Sequence, residues 1–467
     1  MTLSEEIVSI AHGVVFSKIP TRTVGRAKLF FIDTFGVALA GRGVKGNKEF
    51  AELVTTWGGK KEATILYSGE MVPAQTAALV NSLLVHSTEY DDIHEAGGAH
   101  VNVSVIPSAL AVSQRKGGVS GKELLTAIIL GVDLVCRLGA SLSLYPGWHI
   151  SSTYGIFGAA LAAGKILGLT PEALTNALGI AYSQAAGTRQ GRLEGTLTKR
   201  LQPALACQSG VMAALIAEKG LTGPKEWIEG TWGMARVYSD SHEQIQEDSI
   251  RKLKRGLGKV FLVDDLSFKL YPCCKVTHTS IEATLALVEE NHIHLDEMDE
   301  VIVNVSPGAC KTVGRPFKIR SNPQVDAQFS IPYTVALALV RKKVNLDGFG
   351  EETIRDPKIT AMAKRVHVMI DPEMKDVSSN MVNLASKVAI HSKRGVFSKD
   401  LAICKGHPDR PIVEEDIFRK FHECCQYNKT LSDKEIENTL SLLRELEDIK
   451  DVNEIFGQIK WPAQRKR

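Results

Sequence analysis

Lys269-Leu-Tyr-Pro-Cys-Cys-Lys-Val-Thr-His278 divides the chain into two textures. On its N-terminal side the sequence reads as successive helices: Ala77–Val85, Leu124–Leu138, Gly155–Leu167 and Ala204–Lys219 are rich in alanine, leucine and other small or apolar residues. Helices that are apolar nearly all round belong inside a core. Their starts are also legible. Thr2-x-x-Glu5 and Ser120-x-x-Glu123 have capping-box form, and Thr170-Pro171 sets a cap residue ahead of a first-turn proline. On the C-terminal side short β-branched runs take over, at Val301–Val305 and Arg365–Ile370. Lys387–Ser392 and Val396–Ala402 flank Lys393-Arg-Gly395 as a hairpin would, and helical patterns intervene at 277–290 and 325–341. From Ser432-x-x-Glu435 the helical texture returns, with Ile436, Leu440, Leu443 and Leu446 on one stripe. The fold class is therefore mainly α: a large all-helical domain from both chain ends, residues 1–267 and 405–467, with a smaller α/β domain, 268–404, inserted between them.

The arithmetic of the chain agrees with two domains. At 467 residues it exceeds the roughly 250–300 at which single cores stop growing. Apolar residues make up 44% and charged residues 23%, which excludes a disordered or fibrous chain. Lys and Arg total 56 against 53 Asp and Glu, with no basic stripe, so no nucleic acid partner is expected. The start, MTLSEEIVSIAHG, lacks the basic residues and unbroken apolar run of a signal peptide, and the longest apolar region contains Asp133 and Arg137. A cytoplasmic protein with no membrane partner is the expectation. Eight cysteines include the adjacent pairs 273–274 and 424–425, poorly placed to bridge each other, and read as reduced thiols.

For chemistry, Gly41-Arg-Gly-Val-Lys-Gly46 matches GxGxxG, but a helical pattern rather than a strand precedes it, which argues against dinucleotide binding. The dense polar cluster is His86-Ser-Thr-Glu89-Tyr-Asp91-Asp92-Ile-His94-Glu95-Ala-Gly-Gly-Ala-His100, set between two apolar runs. Such a segment is costly to bury unless hydrogen-bonded, bound or functional, and the plain alternative is a solvated loop with helix-capping acids. Its histidines and acids are of metal-ligating type, but no pair has the helical spacing of a metalloenzyme, so no metal is expected. Three further stretches combine titratable groups with glycine or tight packing: Trp148-His149 before a small-residue helix, Glu194-Gly-Thr-Leu-Thr-Lys199-Arg200-Leu-Gln202, and the Lys269–His278 boundary itself. Singly each is weak, since a lone histidine is more often structural and a Lys-Arg pair is usually a solvated face. Together they outline a cationic pocket with acids and histidines, suited to an anionic metabolite.

At these residues the sequence resembles the MmgE/PrpD family, which includes 2-methylcitrate dehydratase, cis-aconitate decarboxylase and iminodisuccinate epimerase. The resemblance rests on Asp33-Thr-Phe-Gly-Val-Ala-Leu-Ala-Gly41, His86–Asp92, His149 with its Gly/Ala helix, Gly195-Thr-Leu-Thr-Lys199-Arg200, and Lys269–Cys274 with His278, in order over nearly the whole chain. It implies that the α/β domain is a lid, that the protein is a homodimer, and that the active site lies in the interdomain cleft without a cofactor. It implies active-site roles for Glu89, His100, His149, Lys199, Lys269 and Tyr333, and Asp91, Arg200, Gln202, Cys274 and His278 of the same stretches are expected, with Tyr333, to contact the substrate. The chemistry to be served is elimination of water from a small di- or tricarboxylate such as 2-methylcitrate. It needs a base, an acid and cations for the carboxylates: His100 and His149 are the acid/base pair, Lys199 and Lys269 the anchors, and Glu89 orients a histidine. Four departures stand out. Ile93 replaces a threonine of many relatives and Val101 a proline, while Cys274 and Gln202 stand where the decarboxylase has histidines, which weighs against decarboxylation. The alternatives are an epimerase, isomerase or decarboxylase on iminodisuccinate or aconitate, or a non-catalytic polycarboxylate-binding dimer.

Overall fold

The computed structural model describes residues 1–239, 241–377, 382–429 and 431–461. The two textures build two hydrophobic cores in a mainly α fold. The larger draws on residues from Leu3 to Phe268 and resumes with Ile417, Phe421, Ile436, Leu443 and Trp461. The smaller draws on residues from Cys273 to Ile390. All three capping boxes form, at Thr2/Glu5, Ser120/Glu123 and Ser432/Glu435, each contributing about 1 kcal/mol to its helix start.

In the larger domain the helix Ile150–Leu167 is packed against Asn102–Lys116, Gly121–Ser141 and Thr198–Glu218. Glycine permits this closeness: a Cβ on Gly131 would come 2.7 Å from the Gly158 carbonyl, and one on Gly158 2.8 Å from the Gly131 carbonyl. Two of these helices, Gly121–Ser141 and Ile150–Leu167, have the length and composition to cross a membrane, but 89% of each apolar window is buried within this domain. The charges inside Gly121–Ser141 are satisfied. Arg137 pairs with Asp133 at 2.7 Å and donates to the carbonyls of Leu253, Arg255 and Val260. Burial of both ions is tolerated because their hydrogen-bonding capacity is met.

The domain departs from the all-helical expectation at the short antiparallel pair Ala63–Thr64 with Met71–Val72. Between Gly220 and Asp265 turns and short helices replace long ones. The 325–341 pattern is likewise two helices, Pro323–Gln328 and Ile331–Arg341. Pro332 cannot donate to the preceding turn, and Ser330 caps a new helix by accepting the Tyr333 N–H at 3.2 Å.

The smaller domain is a four-stranded sheet in the order Val366–Ile370, Met298–Val305, Ser386–Ser392, Gly395–Leu401, with only the first pair parallel. Helices His278–Asn291 and Ile331–Arg341 pack on it. The C-terminal helix Glu414–Gln426 returns to lie on Thr21–Gly41. From it Lys420 reaches Asp33 at 2.6 Å and the carbonyls of Tyr90 and Lys269 at 2.8 and 2.9 Å, tying the chain's end to the two segments that carry the site.

Candidate active site

The helix Ala74–His86 is buried at every position but Gln75 and delivers His86 into the interior. Three residues later Glu89 adopts φ +54°, a left-handed conformation that a long side chain rarely takes. Such strain persists only where surrounding contacts over-determine it. His86, Glu89, Asp91, Asp92 and His94 are each no more than 2% exposed, so this segment is not a solvated loop.

One carboxylate oxygen organises two histidines. Asp91 Oδ2 lies 2.8 Å from His86 Nδ1 and 3.1 Å from His100 Nδ1, and the two rings meet edge to face at 4.7 Å. The His86 hydrogen bond puts a hydrogen on its Nδ1 and leaves its Nε2 as an acceptor, whereas the His100 Nδ1 faces the same oxygen at ion-pair distance without a hydrogen bond. His86 Nε2 then accepts from Lys199 Nζ at 2.8 Å. Lys199 is ion-paired with Glu89, and Lys269 donates to the Glu89 carbonyl at 2.8 Å with its Nζ 3.6 Å from Oε2. His149 is oriented separately. Its Nδ1 lies 3.1 Å from Gln202 Oε1, and Gln202 Nε2 donates to the Thr188 carbonyl at 3.0 Å, which fixes which end of the amide faces the ring. His149 therefore carries its proton on Nδ1 and presents a free Nε2.

Burial controls the protonation states. It pushes His100 down to about 4 despite Asp91 beside it, and together with Lys199 it holds His149 well below the ordinary histidine range. Burial would raise Glu89 and Asp91, but Lys199 and His86 outweigh it for Glu89, and His100 and His86 for Asp91, so both stay ionised. Lys199 is lowered by burial, against the pull of Glu89. Asp92, buried beside Asp91 and Asp33, is raised to about 7. Burial thus favours the neutral form of His100 and His149 beside the paired ions.

A cavity of about 390 Å³ lies between the two domains. Glu89, His100, His149, Lys199 and Cys274 are in its wall. The other sequence-derived candidates stand back from it. Asp91 and Gln202 act on His100 and His149 from behind. Lys269, expected to anchor a carboxylate, is fully buried and committed to Glu89. Glu89, expected to orient or charge a histidine, lies 3.9 Å from His86 Nε2 but is paired chiefly with the lysines, while Asp91 faces both His86 and His100. Arg200 is buried and donates to Gln324 and Gln328 of the smaller domain, a contact between domains rather than with the cavity. His278 is buried against Tyr271, and the Tyr333 hydroxyl donates to the Gly348 carbonyl inside the smaller core. Neither reaches the cavity, because the helices that carry them turn those faces into the core.

Four residues of the site were not among the candidates: His86, Arg189, Arg192 and Lys275. His86 opens the polar cluster and Lys275 lies in the boundary stretch. Gly187-Thr-Arg-Gln-Gly-Arg192, two arginines among glycines just ahead of the Lys199 stretch, was the signal for the other two. Among the described residues, His86, Asp91 and His100 also form the group able to hold a metal ion, with ligand atoms within 4.8 Å of one another. Their short contacts run between carboxylate and imidazole.

The MmgE/PrpD N-terminal domain model matches residues 5–246, and the MmgE/PrpD C-terminal domain model matches residues 271–446. Among curated proteins the chain is similar to cis-aconitate decarboxylase of Aspergillus terreus, 26% identical over 472 residues covering 97% of this chain and 96% of that protein. It is similar to human cis-aconitate decarboxylase, 24% identical over 485 residues, 99% of this chain and 95% of that protein. It also matches 2-methylcitrate dehydratase of Escherichia coli at 23% identity over 280 residues, 56% of this chain and 54% of that protein.

Proposed function

The chain belongs to the MmgE/PrpD family, and from that premise we propose that it is a lyase removing water from a hydroxylated di- or tricarboxylate, such as 2-methylcitrate, by acid/base catalysis. The observation that carries this reading is the Asp91–His100 pair: a neutral imidazole in the cavity wall whose Nδ1 faces a buried carboxylate. His100 Nε2 takes the proton α to a carboxylate, the electron pair forms the alkene, and the C–O bond on the neighbouring carbon breaks. The hydroxyl leaves as water with a proton from the Lys199 ammonium and not from His149, the expected acid, whose Nδ1 faces Gln202 Oε1. Asp91 stabilises the imidazolium that forms, and the incoming carboxylates raise the basicity that burial has lowered. Glu89 and Lys269 position Lys199 rather than touch the substrate.

Decarboxylation is the second reading, favoured by the match to cis-aconitate decarboxylases along nearly the whole chain. It breaks a C–C bond, releases carbon dioxide and protonates carbon, for which the Lys199 ammonium in the same wall would serve. Epimerisation would use His100 and His149 as two bases. Incubation of the purified protein with 2-methylcitrate, citrate, cis-aconitate and iminodisuccinate in heavy water separates the three. New alkene from a hydroxy acid is the expected result. Carbon dioxide from cis-aconitate with no alkene from either hydroxy acid would replace it with decarboxylation, and deuterium uptake without alkene with epimerisation.

A further inference from the structure

Charge is unevenly balanced around the cavity. Its wall carries Glu89, Glu95, Arg189, Arg192, Lys199 and Lys275. Glu89 is paired with Lys199, and Glu95 with Lys275 at 3.3 Å. Behind the wall Lys269 is turned to Glu89, and Asp91 to His86 and His100. Arg189 and Arg192 remain, and neither guanidinium has an ion pair or side-chain hydrogen bond among the described residues. Both are half-buried, and burial together with the neighbouring Arg192 pushes Arg189 down to about 10, still charged at neutral pH. Two like charges held together without a counter-ion are unfavourable until an anion arrives.

Their placement is defined. The Arg189 N–H donates to the Gly147 carbonyl at 2.9 Å and the His149 N–H to the Gly187 carbonyl at 3.0 Å, so one short bridge carries both arginine and histidine. Gly187, at φ +114°, allows it, since a Cβ there would meet Ser152 and Gln202 Oε1 at 2.8 Å. Arg189 and Arg192 also line an outer chamber of about 850 Å³, which Lys311 and Arg315 of the smaller domain share. No carboxylate is among its described lining residues. A polyanion is therefore drawn inward past the two arginines.

We propose that Arg189 and Arg192 form the anion subsite of this cavity, binding carboxylates remote from the reacting carbon and selecting substrates with two or more of them. The proposal rests on the carboxylate-directed reading above and names the groups that set it. Guanidinium forks match carboxylates bidentately, which the committed lysines do not.

Calorimetric titration of the purified protein with tricarballylate, glutarate and butyrate, which carry three, two and one carboxylates and no hydroxyl, tests it. The wild type is expected to bind in that order. Arg189→Gln and Arg192→Gln should each weaken tricarballylate binding about 10- to 100-fold while affecting butyrate far less, and the double variant should lose the order. Lysine at either position should restore part of the affinity, and thermal melts report folding. Equal tricarballylate affinity in the double variant, or a wild type with no preference for the tricarboxylate, would overturn the subsite. Arginine-dependent binding without turnover of 2-methylcitrate would keep the subsite and remove the dehydration reading. Turnover with arginine-independent affinity would do the reverse.

Discussion

Two buried ion pairs in the larger domain invite comparison. Asp133 and Arg137 sit one turn apart in a regular helix, 2.7 Å from each other, with the guanidinium donating to three carbonyls as well. Glu89 and Lys199 come from segments 110 residues apart; Glu89 sits on left-handed backbone, and the pair faces a cavity. The first pair is closed on itself. The second leaves capacity open toward space that a ligand can fill. Buried charge closed on itself supports the fold, whereas buried charge held on strained backbone at a cavity wall is placed to meet a ligand.

The contrast breaks most visibly at His100. His100→Gln is expected to lower kcat by roughly 10²- to 10⁴-fold with an unchanged melting temperature, checked by steady-state kinetics and thermal melts. Arg137→Met should do the opposite, costing about 3–5 kcal/mol in denaturant unfolding while the folded fraction keeps its kcat. A loss of kcat without loss of stability in Arg137→Met would erase the distinction.

Lys199 and Lys269 sharpen it within the site. Lys199→Met should raise KM and lower kcat, each contact being worth about 1.5–3 kcal/mol. Lys269→Met should lower kcat with KM nearly unchanged, because its ammonium reaches Glu89 and not the cavity. Parallel kinetics of the folded variants decide between anchor and positioner.

Titration gives a smaller effect with a definite sign. Asp92 has a folded pKa raised to about 7 from an ordinary value of 3.8, so the stability it contributes is present below about 4 and is lost as pH rises through 7. Asp92→Asn should therefore gain in melting temperature relative to wild type at pH 8 compared with pH 5. His100, lowered to about 4, works in the other sense: its contribution is present above about 6.5 and is lost as pH falls toward 4. The smallest effect expected is none. Chelation should leave turnover unchanged, because the proposed proton transfers use an imidazole and an ammonium and call on no Lewis acid; loss of activity restored by one metal would reassign His86, Asp91 and His100 as ligands.

Much of the fold was legible in local pattern. Capping boxes, small-residue helices and the hairpin at Lys393-Arg394 are written within a few residues of where they act, and the structure places them there. The polar cluster from His86 to His100 was legible as a candidate site because its composition is costly to bury. Which acid serves which histidine was not, since Glu89 and Asp91 are two residues apart and only the turn at Glu89 sends one to the lysines and the other to the rings.

By itself the sequence determined the helical domain, the change of texture near 270 and the segments that carry titratable groups, because helix periodicity, caps and composition act locally. Tertiary structure alone decided that Lys269 faces Glu89, that Tyr333 and His278 are enclosed in a core, and that Arg189 and Arg192 line the cavity without an ion pair among the described residues. Those outcomes depend on distances between segments remote in the chain and on burial, which sets both the partner a charge finds and the protonation state it keeps.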